Sequence, residues 1–522
     1  MPVTPHRAHS RGPRGASRTQ GTTMASSLTK APGGSAETEK TFLGHPRGLA
    51  NLFMTEMWER YSFYGMRALL VLYLATEVAD GGLGMKDATA VAIYSVYNAM
   101  VYLLALPGGW LGDRVWGARK AVAIAGIVIM TGHFLLAVPA QFSFFLGLAF
   151  IAAGSGVLKA NISTMVGHLY PDKNDSRRDS GFTIFYMGIN LGAFVAPLTI
   201  GAVGQKVNWH LGFALAGVGM AIGLLFFFLG YRHLNEESTR VPNPLPASER
   251  TALVKKGLIW LGVAAAAYAV VGLSGNFHID WVLWPLTVLG LVLPAWYLFR
   301  IRRDKDLTPV EQGRMTGYIW FFVAAAVFWA IYDQGGSVLT LFAKNDTETA
   351  LFGFDFPESW FQSLNPLFVM AMAPLFAMLW VWLGRRNKEP STASKFATAL
   401  LLIGGSFFVM MLAQGVATGE TKVSPMWLVS VYFMQTVGEL CLSPVGLSLT
   451  TKLAPEKYSS QMMGVWFLAV TAGSSVIALL QLIGAPTGTE AWFASQGALA
   501  LLAGAGIFMY RRKVKSLMGG VH

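Results

Sequence analysis

Charge is what this sequence has least of. Only 13% of its 522 residues are Asp, Glu, Lys or Arg, against the ~25% usual in soluble domains. That shortage excludes the three or four soluble domains that the length alone would allow. Cysteine is almost missing too, and the single Cys441 rules out an internal disulfide and any cysteine-rich metal site. The histidines do not pair at ligand spacing within the apolar runs, so haem or zinc chemistry has no support. Residues 1–49 lack the short apolar core of a secretory signal, and no acidic residue precedes Glu37. Rich in Arg, Ser, Gly and Thr, this tail cannot bury a core and is expected to be disordered. Its composition loosely resembles a transit peptide. A start upstream of the true one, with Met24 as the initiator, is the simpler reading.

What is present is apolar sequence in long runs. Hydrophobic residues make up 53% of the chain, and runs of about 20 such residues mark membrane-spanning helices. Only helices or a closed barrel satisfy the backbone inside a bilayer, and continuous rather than alternating hydrophobicity selects helices. The runs fall at 50–75, 91–111, 121–138, 143–163, 181–203 and 211–230, then at 257–273 and 281–299. Six more follow at 317–343, 363–383, 396–416, 425–450, 461–484 and 491–510. The expectation is an all-α polytopic membrane protein of fourteen spans. It divides into a tail (1–49), a six-helix bundle (50–230), a linker with two peripheral helices (231–315), a second six-helix bundle (316–510) and a terminal tail (511–522).

The net charge of +12 does not point to nucleic acid, because the basic residues lie in short loops between spans. On one side of the alternation the loops hold 26 Lys and Arg; on the other they hold four, Lys86, Lys206, Lys344 and Lys422. Basic loops stay in the cytoplasm, so both termini are expected inside, in the cell (inner) membrane. Six plus six about a central linker is the layout of transporters made from two related halves around a midplane site.

One basic loop has a pattern of its own, GGWLGDRVWGARK at 108–120. It resembles the loop 2–3 motif of the major facilitator superfamily. Gly109 and its neighbours would let helices approach closely, while Asp113, Arg114 and Arg119 would form a cytoplasmic charge network that breaks as the halves rock. GRRNK at 384–388 is a weak counterpart.

Few ionisable residues lie within the spans: Glu56, Glu59, Arg60, Arg67, Lys159, Asp333 and Glu439. A charge at mid-membrane costs about 2.5–3.5 kcal/mol even on lenient scales, so each is a functional candidate. Glu56, Glu59 and Arg60 share one helix face at i, i+3 and i+4. One self-neutralising pair would leave a carboxylate over, for which Lys159 is a candidate partner. A carboxylate and a lysine in a low-dielectric cavity can exchange a proton as their surroundings move.

At these residues a family resemblance becomes specific. EMWERYSFYG at 56–65 is similar to the ExxERFxYYG motif of the proton-dependent oligopeptide transporter family. GSGVLKANIS (154–163), FYMGINLG (185–192), FWAIYDQGGS (328–337), WFQSLNPLF (360–368) and GELCLSPVGLS (438–448) resemble further segments of that family, in order. The two central helices are typical of its bacterial members. The resemblance implies a proton-coupled symporter of di- and tripeptides working by alternating access, with protons as coupling ion and no other cofactor, and a monomer in membrane lipid. It implies proton-coupling roles for Glu56, Glu59, Arg60, Lys159 and Asp333. Arg67 and Lys159 would attract the peptide carboxylate, and Asn190, Asn365 and Glu439 would hold the backbone and amine. Tyr64, Tyr102 and Ser443 would contact peptide, and Trp329 and Trp466 would line side-chain pockets. Three departures stand out: Ala160 replaces a proline, Phe63 a tyrosine and Tyr61 a phenylalanine. The second span also lacks the histidine of animal members. The competing readings are a nitrate or drug transporter on the same fold. No nucleophile–base pair supports an enzyme.

Overall fold

The computed structural model describes residues 41–172, 175–351, 353–417 and 421–518. The expected disorder of residues 1–40, and Met24 as a start, fall outside them. The spans are α1 (Arg47–Ala75), α2 (Asp87–Trp116), α3 (Ala118–Leu136), α4 (Gln141–His168), α5 (Arg177–Lys206), α6 (Trp209–Leu229), α7 (Ala247–Leu273), α8 (Asp280–Arg302), α9 (Pro309–Asp346), α10 (Glu358–Arg385), α11 (Thr392–Val416), α12 (Met426–Leu453), α13 (Gln461–Leu482) and α14 (Glu490–Lys513). Thirteen of them are long and apolar enough to cross a membrane on composition alone. The fourteenth is α1, 29 residues long, set apart by Glu56, Glu59, Arg60 and Arg67. The six–two–six arrangement read from hydropathy is the arrangement found.

Local signals set the ends. Thr308 and Glu311 form a capping box at the start of α9, with Pro309 in the first helical turn. The Asn208 side chain accepts from the amides of His210 and Leu211 to begin α6. The last helix continues past 510 to Leu517.

The two six-helix bundles repeat one packing pattern. In the first, α1 packs on α5 and α6, and α3 on α4 and α6; in the second, α9 packs on α13 and α14, and α11 on α12 and α14. The halves meet along two equivalent seams, α2 with α13 and α5 with α10.

The central pair is peripheral only in part. Among the described residues α7 buries none, whereas α8 packs on α13 and touches α2. Gly290 lets α8 approach closely, since a Cβ there would lie 2.1 Å from Ser475 Oγ. Tyr297 donates its hydroxyl to Gln461. In the loop beyond α8, Lys457 reaches Asp304 at 2.7 Å and Asp306 at 2.6 Å. Hydrogen bonds from Lys457 and Tyr458 hold the Asp304 carboxyl well below the usual carboxylate range. Thus α8 is tied to the second half.

Candidate functional site: a charged cavity between the halves

A cavity of about 1850 Å³ lies between the two bundles. Its wall runs from Arg67, Asp333 and Gly336 in the membrane interior out to Asp113, Arg114, His168 and Asn235 in the basic loops. At the opposite end the halves are tied together. Gln205 donates to Glu358, Lys206 pairs with Asp355, Lys344 bonds Thr76 at 3.0 Å, and Ser363 donates to the Phe194 carbonyl at 2.8 Å. The cavity therefore opens on the basic-loop face and is sealed on the other.

On α1, Arg60 lies 2.9 Å from Glu56 and 2.5 Å from Glu59. All three are buried. The contacts are short but poorly aligned, and among the described residues no protein group completes the hydrogen bonding of Glu56 Oε2, Glu59 Oε2 or Arg60 Nη2. Glu56 and Arg60 face the cavity, while Glu59 lies behind them, 3.5 Å from Ser155 Oγ. One guanidinium thus serves both carboxylates. Lys159 makes no ion pair with the second one. Its ammonium sits over the Tyr102 ring at 3.7 Å and near Phe467 at 5.5 Å, directly on the cavity wall.

Farther along α1, Arg67 reaches Asp333 Oδ1 at 3.3 Å across the interface between halves. It also donates to the Tyr94 hydroxyl and lies over the rings of Tyr64 and Tyr94. Asp333 sits where α9 loosens into a 3₁₀ turn, Asp333–Gly336. Glycine is required there: a Cβ on Gly336 would come within 2.0 Å of the Tyr94 hydroxyl. Asp333 Oδ2 accepts from Asn98 at 2.8 Å and from Ser474 at 3.0 Å.

In the second half, Glu439 is held by neutral donors alone among the described residues. Tyr332 donates to its Oε2 at 2.7 Å and Asn365 at 3.1 Å, with Asn365 also donating to Thr436. Asn365, Glu439 and Trp329 line the cavity. Pro444, one turn beyond Glu439 in α12, cannot supply an amide to the carbonyl four residues back.

Of the other expected site residues, Tyr64, Tyr102, Asn190, Gly109, Asp113 and Arg114 are on the wall. Trp466 and Ser443 are not. Trp466 is 3% exposed and wedges against Gly446, where a Cβ would meet its ring at 2.0 Å. Helix rotation turns it into the core of the second half. Arg119 is likewise no part of a network between halves. It donates to the carbonyls of Leu234 and Asn235, each at 2.8 Å, and stacks on Tyr231, so it anchors the linker to its own half. The neighbouring backbone does the same, with Asn243 and Leu245 bonding the carbonyls of Asp113 and Arg114.

The glycines of that motif do permit close approach: a Cβ on Gly108 would lie 2.6 Å from Val157 Cα, and one on Gly112 would lie 1.7 Å from Asn161 Oδ1. With Ala160 in place of proline, α4 continues through this contact without a break. Phe63 is buried at 2% exposure and stacks on Tyr97, away from the cavity.

Participants absent from the expected set include Tyr94, Asn98, Tyr332 and Ser474. Two of them carry a legible signal. Tyr94, Asn98 and Tyr102 recur every four residues in an otherwise apolar span, which places one polar stripe on α2.

Residues 119–489 match the POT family. The chain is 44% identical over 487 residues to an uncharacterized transporter of Bacillus subtilis, covering 92% of this chain and 97% of that one. It is 41% identical over 495 residues to a di-/tripeptide transporter of Lactococcus lactis, covering 93% and 99%. Among solved structures, a peptide transporter POT in complex with sulfate superposes with a TM-score of 0.88 at 43% identity, over 92% of this chain and 97% of that one. A POT family transporter in complex with 5-aminolevulinic acid gives 0.86 at 37% identity, over 91% and 98%. With its fourteen helices, paired bundles and charged central cavity, this chain is a membrane transporter of the POT family.

Proposed function

We propose that the chain imports di- and tripeptides together with protons across the cell (inner) membrane, as a monomer with both termini in the cytoplasm. No cofactor beyond the coupling protons is needed, and no nucleic acid takes part. The observation that carries this reading is the distribution of charge on one cavity wall. Arg67 and Lys159 stand on the first half and Glu439 on the second. A zwitterionic peptide needs a cation at one end and an anion at the other, so a bound peptide bridges the halves. Nitrate has no amine for Glu439 to hold.

Proton coupling rests on the two carboxylate centres. Glu56, Glu59 and Arg60 form a buried group with one negative charge in excess, which an added proton or the approach of Lys159 neutralises. At Asp333, protonation removes the charge that holds Arg67 and frees that guanidinium for the peptide carboxylate. With basic loops inside, the cavity is the inward-facing form, and breaking the opposite ties gives the outward-facing one. The relatives named as peptide transporters support this choice of substrate.

Uptake of labelled dialanine into liposomes, with and without an inward proton gradient, tests the proposal. Accumulation driven by the gradient is expected, lost in Glu59→Gln while exchange of peptide persists, and lost in both modes in Glu439→Ala. A folded wild type that takes up no peptide would overturn it in favour of nitrate or a drug-like solute.

A further inference from the structure

Asp333 is bound from three helices at once, and among the described residues only one of its partners is charged. Its Oδ1 faces Arg67, while Oδ2 accepts from Asn98 Nδ2 at 2.8 Å and Ser474 Oγ at 3.0 Å. Asn98 Nδ2 also donates to Ser474 Oγ at 3.0 Å. The triangle closes without conflict. The amide offers one hydrogen to each neighbour, and the serine accepts from the amide while donating to the carboxylate. Asn98 is 1% exposed, Ser474 2% and Asp333 6%. One turn away, Thr471 donates to the Ala99 carbonyl at 3.2 Å, so the triangle lies in the α2–α13 seam.

The neutral members matter because they span the two halves. Asn98 belongs to α2 of the first bundle, and Asp333 and Ser474 to α9 and α13 of the second. We infer that Asn98 is a positioning residue for the proton step: a charge-dependent tether that, with Ser474, holds the α2–α13 seam shut only while Asp333 is unprotonated. Donors to a carboxylate bind about twice as strongly as donors to a neutral group. A proton on Oδ2 also places a hydrogen where Asn98 now presents one. Asn98 must then withdraw, or turn its amide so that Oδ1, which has no protein partner among the described residues, becomes the acceptor. Either way, the proton that releases Arg67 also removes the charge-assisted bond across the seam, leaving at most a weaker bond between neutral groups.

The titratable groups acting on Asp333 are Arg67 and Tyr64 on α1, Tyr94 and Tyr102 on α2, Lys159 on α4 and Glu439 on α12. Only Arg67 among them touches it, so among the described residues Asn98 and Ser474 alone hold the other oxygen.

The inference rests on the proton-coupled reading of the site, but its test needs no peptide. Leu341→Cys in a Cys441→Ser background places a thiol behind the sealed face, where Leu341 is 5% exposed. An impermeant maleimide reports opening of that face, each rate being referred to the parent at the same pH. Asn98→Ala is expected to speed labelling about fivefold while Asp333 keeps its carboxylate. In an Asp333→Asn background, Asn98→Ala should add nothing. An unchanged rate, or an equal acceleration with and without the Asp333 carboxylate, would overturn the inference. Should Asn98→Ala fail to insert, Ser474→Ala removes the second donor and is expected to give the same dependence on Asp333. Failure of peptide uptake by the wild type would leave this readout intact.

Discussion

The two ends of the cavity are built differently. At the sealed end, three ties between the halves run through carboxylates, Asp333 with Arg67, Asp355 with Lys206 and Glu358 with Gln205, beside two that do not, Lys344 with Thr76 and Ser363 with the Phe194 carbonyl. At the open end the named anchors stay within one half and its linker. Arg119 holds the 234–235 backbone, and Lys457 holds Asp304 and Asp306. A proton on Asp333 can therefore loosen a tie between the halves, whereas the open-end anchors, carboxylates among them, do not join the halves. The sealed-end ties also differ among themselves. Asp333 and Arg67 are buried, whereas Lys206 and Asp355 are half exposed. Exposed pairs are worth little and are screened by salt, so Asp333 is the tie whose protonation matters most.

The comparison can be broken most severely at Glu439. Removing one partner of a desolvated charged contact costs about 2–5 kcal/mol. Glu439→Ala should therefore raise the KM for dialanine by roughly 30-fold or more, measured by initial uptake rates. At the α1 cluster, Arg60→Ala leaves Glu56 and Glu59 buried without their shared cation. That should lower stability by about 3–5 kcal/mol, seen as loss of the folded peak in detergent or a large fall in Tm.

Smaller effects sharpen the contrast. Arg119→Ala removes two hydrogen bonds to the linker and a stacked ring. It should destabilise by about 1–3 kcal/mol while leaving the KM for peptide within twofold, which thermal unfolding and uptake can separate.

Least sensitive should be the exposed pair. The Lys206 hydrogen bond holds the Asp355 carboxyl below its ordinary value. Whatever this pair contributes is therefore complete above that ordinary value and is lost only as pH falls through the depressed one. Lys206→Ala is expected to alter uptake by less than twofold, with the same effect at pH 5.5 and pH 7.5. A pH-dependent effect would assign the acid response to the surface rather than to Asp333.

The sequence made the charged part of the site legible because a charge in an apolar run has few innocent explanations. EMWER, Arg67, Lys159, Asp333 and Glu439 all come together around one cavity for that reason. Neutral polar groups were harder to read. Asn98 was recoverable from its spacing with Tyr94 and Tyr102, but Ser474 sits among small residues that ordinarily mark helix contacts. Trp466 shows the converse limit: an aromatic in a matching segment says nothing about which way its helix is rotated. For Arg119 the obstacle was the linker, whose fold back onto the first half depends on backbone carbonyls that carry no sequence signature. The spans themselves were legible, since hydropathy reports the bilayer directly, but polar first turns hid some ends: α7 begins at Ala247 rather than 257 and α9 at Pro309 rather than 317.

The central claim is that negative charge on Asp333 locks the sealed end and that a proton unlocks it. The most direct measurement compares wild type with Asp333→Asn in one liposome preparation, reading both accumulation of dialanine under an inward proton gradient and counterflow without one. The account predicts that Asp333→Asn loses gradient-driven accumulation by at least about tenfold while counterflow persists, because the lock is permanently neutral. Accumulation equal to wild type would contradict it and would leave the coupling to Glu56, Glu59 and Arg60 alone.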